Sequence, residues 1–208
     1  MGKKFFQALL PRYLEPLTVT AVTELARFQI ASVGFLAADI PPLQIRYGSA
    51  GAWQSYKTGT LITLNQGEKC QFRNLSENLS TGLSRYLYFS SAYPNDRVIF
   101  SGDLMALVNW RKNLPEYIFY RLFYSFKLMT EAPEIPDVPM ANNALSYTFA
   151  YCSNLNKLRV RFKNWSSATN SWVALISSTG IFYKPSVLPE ERGTSKIPNN
   201  WQVVNIDG

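Results

Sequence analysis

Sliding the chain along itself by 26 residues brings Leu122–Met129 onto Thr148–Leu155. Phe123 then falls on Phe149, Phe126 on Cys152, Lys127 on Ser153 and Met129 on Leu155. The match extends outward: Leu114 meets Met140, Ala132 meets Leu158 and Glu134 meets Val160. A period of this length is that of a solenoid, in which each repeat is a helix-plus-strand unit stacked on its neighbour. Two copies are fewer than the ~3 that usually stand alone. The stretch 114–163 is therefore expected to wedge between a domain before it and a cap after it.

The 208 residues supply ample material for a core, and 47% hydrophobic with 14% aromatic residues favours β-rich packing over disorder. Strand-like runs fill 16–110. Leu43-Gln-Ile-Arg-Tyr47 alternates cleanly, and Leu17–Val22, Thr60–Leu64, Lys69–Arg73, Arg85–Phe89 and Arg97–Phe100 follow with Gly or Asn punctuation. This spacing predicts an antiparallel sandwich or barrel. Short helices are expected at 117–124, where Ile118/Leu122 and Phe119/Phe123 recur at i+4, at 143–151, and at 171–176. Gly180–Pro185 and 201–206 read as strands of a terminal cap. The expected fold is β-rich (α+β): an arm over 1–15, a β-sandwich over 16–110, and two degenerate repeats with a cap over 111–208.

Lys and Arg exceed Asp and Glu by 7, with a pI near 9.4, which favours anionic partners. There is no histidine, so the usual neutral-pH base, the Ser-His-Asp and Cys-His arrangements and the common zinc ligands are missing. Cys70 and Cys152 lie outside any CxxC spacing and are expected as buried free thiols. No GxxxxGK or GxGxxG loop is present. No catalytic residue, metal site or cofactor is expected.

The N-terminal apolar run Phe5–Leu10 is broken by Gln7 and stopped by Pro11, too short for an export signal of ~7–15 apolar residues. No run approaches the ~18 residues of a membrane span, so membrane insertion is not expected. Phe5, Phe6, Leu9 and Leu10 share one helical face and read as a docking arm.

Lys157, Arg159, Arg161 and Lys163 alternate with Leu158, Val160 and Phe162. Four cations then project from one strand face at ~6.6–6.8 Å intervals. Unopposed they repel, so they either splay into solvent as edge protection or meet an anionic partner. No stacking aromatics interleave them, which speaks against nucleic acid. Trp53 and Tyr56, near a turn, are alternative carbohydrate-stacking residues, with Trp53 also reading as a core anchor.

Phe149-Ala-Tyr-Cys-Ser-Asn-Leu-Asn-Lys-Leu resembles the repeat core of BspA-type leucine-rich-repeat proteins. The tail from Gly180-Ile-Phe-Tyr-Lys-Pro-Ser through Arg192-Gly-Thr-Ser-Lys-Ile-Pro-Asn-Asn-Trp-Gln-Val is similar to the ending that closes such repeats. Trp53-Gln-Ser-Tyr-Lys-Thr-Gly with Ile62-Thr-Leu-Asn-Gln-Gly-Glu-Lys is similar to the β-sandwich modules beside them. Such modules occur in gut bacterial surface proteins and in virion proteins of tailed phages. The resemblance implies adhesion or assembly and brings no catalytic residues. The expected function is a structural virion component (decoration, fibre or tail-associated), partnered by capsid or tail subunits or by copies of itself. The alternative is a bacterial-surface adhesin or lectin that binds a host-surface glycan.

Overall fold

A computed structural model describes residues 15–206. Its twelve strands are β1 (Leu17–Ala21), β2 (Leu25–Val33), β3 (Leu43–Tyr47), β4 (Gln54–Ser55), β5 (Ile62–Asn65), β6 (Lys69–Asn74), β7 (Tyr86–Ser90), β8 (Val98–Ser101), β9 (Met129–Glu131), β10 (Lys157–Arg159), β11 (Ile181–Lys184) and β12 (Gln202–Asn205). Nine form one sheet in the order β12-β11-β10-β9-β8-β1-β6-β3-β4, and β5-β2-β7 form a second. The protein is β-rich. Among the described residues the only helices are short 3-10 segments, at Ala37–Asp39, Leu104–Val108 and Ser167–Thr169.

The large sheet changes character at β8. From β4 to β8 all pairings are antiparallel, and from β8 to β12 all are parallel. The antiparallel half follows from period-2 patterning: β6 alternates Cys70, Phe72 and Asn74 inward with Lys69, Gln71 and Arg73 outward. Within the parallel half, the step from β9 to β10 follows the 26-residue period. Leu114 bridges Met140, Lys157 pairs with Glu131, and Phe123 stacks on Phe149 with centroids 5.4 Å apart and planes 3° from parallel. Phe89 of β7 lies under Phe123 at 5.0 Å and Trp172 lies beyond Phe149 at 6.0 Å. This aromatic column runs through a core that is continuous from Leu17 to Trp201, each large side chain contributing ~1.5–3 kcal/mol of burial.

The helices expected at 117–124, 143–151 and 171–176 are instead chains of overlapping β-turns. The amides of Ile118, Tyr120, Leu122, Tyr124 and Phe126 each donate to the carbonyl three residues back. The intervening amides of Phe119, Arg121, Phe123 and Ser125 donate across to the carbonyls of Ala144, Ser146, Thr148 and Ala150. Every fourth residue takes a left-handed backbone: Tyr117, Arg121 and Ser125, then Asn143, Tyr147 and Tyr151, then Ser171 and Leu175. Ile118, Phe119, Leu122, Phe123 and Phe126 point inward as pairs spaced by four. Over eight residues a period of four is indistinguishable from 3.6, which is why the pattern reads as helical in sequence. Backbone satisfaction decides it, because the next tier accepts the amides that an α-helix would use internally.

Cys70 and Cys152 are free and buried, and burial pushes both thiols well above their ordinary range. Cys152 Sγ donates to the Phe123 carbonyl at 2.8 Å, tying one tier to the next. In the terminal segment the indoles of Trp172 and Trp201 donate to the carbonyls of Lys196 and Ser177, at 3.0 and 2.9 Å.

Candidate interaction faces

Half of the basic row lands on an interior strand: Lys157 and Arg159 lie on β10, and Arg161 and Lys163 follow beyond its end. β10 pairs with β9 on one side and β11 on the other, so it is not an edge and the edge-protection reading fails. Nor are its cations unopposed. Lys157 meets Glu131 at 3.6 Å, Arg159 and Arg161 share Glu134 at 3.8 and 2.7 Å, and Lys163 meets Asp137 at 3.1 Å. The carboxylates come from the preceding tier, Glu131 from β9 and Glu134 and Asp137 from the segment that follows it. The row is a zipper of surface ion pairs, each worth ~0–1 kcal/mol.

Beside it lies a cleft of about 320 Å³ lined by Glu15, Gly102, Asp103, Glu131, Glu134, Arg159 and Arg161. Asp103 bridges Glu134 in the parallel sense and caps the 3-10 helix, its Oδ1 accepting from the Met105 amide at 2.8 Å. Oδ2 is buried without a partner, and burial, with Glu134 and Glu15 nearby, pushes the carboxyl up to about 6. A carboxyl raised by burial beside a second carboxylate is a pairing that glycoside hydrolysis uses. Here Asp103 is engaged as a helix cap and Glu134 by two guanidinium groups, so both serve the junction between the antiparallel and parallel halves.

The proposed carbohydrate pair separates. Tyr56 is buried, its hydroxyl donating to Thr60 O at 2.7 Å and accepting from the Ile30 amide at 2.9 Å; burial pushes it up to about 12. Trp53 is half-buried and outside the core, with the guanidinium groups of Arg46 and Arg73 4.7 and 4.3 Å from its ring centroid. Phe5, Phe6, Leu9 and Leu10 lie outside the described residues.

A face that the sequence reading missed follows from the turn geometry. The outer side of the first two tiers carries Tyr117, Arg121, Tyr124, Tyr147 and Tyr151 around the buried ring of Tyr120, and Tyr86 and Tyr88 of β7 continue the surface. Tyr86 meets Tyr120 at 5.2 Å, Tyr117 meets Tyr120 at 5.8 Å, Tyr120 meets Tyr147 at 6.2 Å and Tyr124 meets Tyr151 at 5.1 Å. Arg121 sits among them, 4.7 Å from the Tyr124 ring and 5.2 Å from that of Tyr120, with its Nε buried without a partner. The signal was present as tyrosines flanking the inward pairs, but assigning them to one face required the turn geometry. In the second tier, buried Ser146 and Ala150 leave room for the rings.

Comparison with protein-family models, with curated proteins and with solved structures gave no match. Among the described residues no group of three or more His, Cys, Asp or Glu side chains is placed to hold a metal ion. No helix among them is long and apolar enough to cross a membrane.

Proposed function

We propose that the chain is a non-enzymatic structural protein acting by protein–protein assembly: a β-sandwich followed by a short, capped leucine-rich-repeat-like unit, serving as a virion component of a tailed phage. The observation that carries the assembly reading is the tyrosine surface around Arg121. Tyrosine and arginine are the residues most concentrated at protein–protein contacts, because each supplies a large, rigid contact area with a polar tip. The sandwich reading is supported by Phe28, Phe72, Phe89 and Phe100, which meet between the two sheets. The repeat reading is supported by the parallel ladder and the stacked tiers. The virion assignment rests on the resemblance to BspA-type proteins and their phage counterparts.

Light scattering coupled to size-exclusion chromatography tests assembly on the full chain, on a chain lacking residues 1–15, and on an Arg121→Gln/Tyr124→Ser variant. The expected result is an oligomer of the full chain that the double substitution weakens at unchanged melting temperature. A monomer in all three samples, with glycan-array binding that the same substitution removes, would replace assembly by the second reading. That reading, a bacterial-surface adhesin, draws on the same face, since tyrosine rings bearing hydroxyls also stack on sugars.

A further inference from the structure

The excess positive charge does not reside in the basic row, whose members are matched by carboxylates. On the outward face of the antiparallel half, β3 presents Gln44 and Arg46, β6 presents Lys69, Gln71 and Arg73, β1 places Thr20 and the covered Thr18, and β8 presents Ile99 and Ser101. No carboxylate occupies an outward position on these four strands. In the β3–β6 register Gln44 faces Arg73 and Arg46 faces Gln71, so the two arginines are diagonal neighbours. Diagonal positions lie ~7–8 Å apart, within reach of side chains this long. Both guanidinium groups converge on one indole, Trp53, at 4.7 and 4.3 Å.

We propose that Arg46, Arg73 and Trp53 form a binding site for a tetrahedral oxyanion, a sulfate or phosphate ester. The geometry is organised before any ligand arrives. Arg46 Nε donates to Gln71 Oε1 at 2.6 Å, Gln71 Nε2 donates to Thr18 Oγ1 at 2.9 Å, and Thr18 Oγ1 donates to Pro16 O at 3.1 Å. Arg73 Nε donates to Gln44 Oε1 at 2.7 Å. Each glutamine fixes its guanidinium through Nε and leaves the terminal nitrogens for another acceptor. An indole face attracts a guanidinium but carries no net charge, so neither cation is neutralised and their mutual repulsion stands. A carboxylate has two oxygens and saturates one guanidinium fork, whereas a tetrahedral oxyanion has enough oxygens to bridge both. The site is separate from the tyrosine face and does not depend on the assembly reading.

The test is binding of the full chain to immobilised dextran sulfate, with alginate as the carboxylated control and inorganic sulfate and phosphate as competitors. The expected result is binding to dextran sulfate and not to alginate. Arg46→Gln or Arg73→Gln weakens it by about tenfold each, and the pair abolishes it. Arg46→Lys, which keeps the charge but not the fork, falls between. Lys157→Gln with Lys163→Gln, which removes two matched cations, changes binding less than about twofold. Displacement by phosphate rather than sulfate, or the reverse, assigns the ester. Absence of binding, equal binding to alginate, displacement by neither ion, or an equal loss in the Lys157/Lys163 variant would each overturn the proposal. Melting temperatures and light scattering on every variant separate a lost site from a lost fold or a changed oligomer.

Discussion

Phe123 and Phe149 lie face to face, 5.4 Å between centroids and 3° from parallel, one repeat period apart in the chain. Stacking of successive tiers on this column requires equivalent residues at equivalent places, so the period in the sequence and the rise of the tiers have the same origin. Truncating Phe149 to alanine opens a cavity between Phe123 and Trp172. The expected loss is ~3–5 kcal/mol in urea denaturation, and a smaller loss for Phe149→Leu. A loss below about 1 kcal/mol for the alanine variant would mean that the column does not organise the core.

Asp103 gives the fold a pH dependence of unusual sign. Its carboxyl is pushed up to about 6 in the folded chain by burial, with Glu134 and Glu15 adding to the shift, from an ordinary value of 3.8. Between those values the folded state holds a proton that the unfolded state has released. This contribution is therefore fully present below about pH 4, falls as pH rises to about 6, and is absent above, a change on the order of 3 kcal/mol. Asp103→Asn keeps the cap to the Met105 amide without a charge. Melting temperatures taken from pH 4 to pH 7 should show the variant more stable than the parent at pH 7, with the difference shrinking toward pH 4.

Glu134 is shared by Arg159 and Arg161, both partly exposed. Glu134→Gln should cost about 1 kcal/mol or less, and 1 M salt should erase most of the difference. A loss of several kcal/mol that salt leaves unchanged would show that this residue serves as more than a surface counter-ion.

Gly180 precedes β11 where the chain passes close to Asn156 and Trp201. A Cβ there would sit 2.5 Å from the Asn156 carbonyl oxygen and 2.7 Å from the Trp201 indole. That backbone oxygen accepts from the Ile181 amide at 2.8 Å and cannot move without loosening the start of β11, so Gly180→Ala is expected to destabilise by ~1–3 kcal/mol. Trp201 fluorescence should report the displacement, and an unperturbed spectrum with full stability would contradict the close approach.

Most strands were legible because period-2 alternation is local: Leu43–Tyr47 stands where its pattern put it, and β6 and β8 lie within a residue or so. The turn tiers were not, since a period of four and a helix look alike over eight residues. The basic row was legible as a row but not in its meaning, because its counter-ions come from the tier before it.

The sequence by itself determined which residues alternate along the strands and which residues repeat, since both are set by spacing along one chain. Tertiary structure decided what those residues meet. Inter-tier carbonyls turned expected helices into turns, Glu131, Glu134 and Asp137 neutralised the row beginning at Lys157, and strand register brought Arg46 and Arg73 onto Trp53. Each outcome depends on partners far apart in the chain, and only the folded sheet sets those distances.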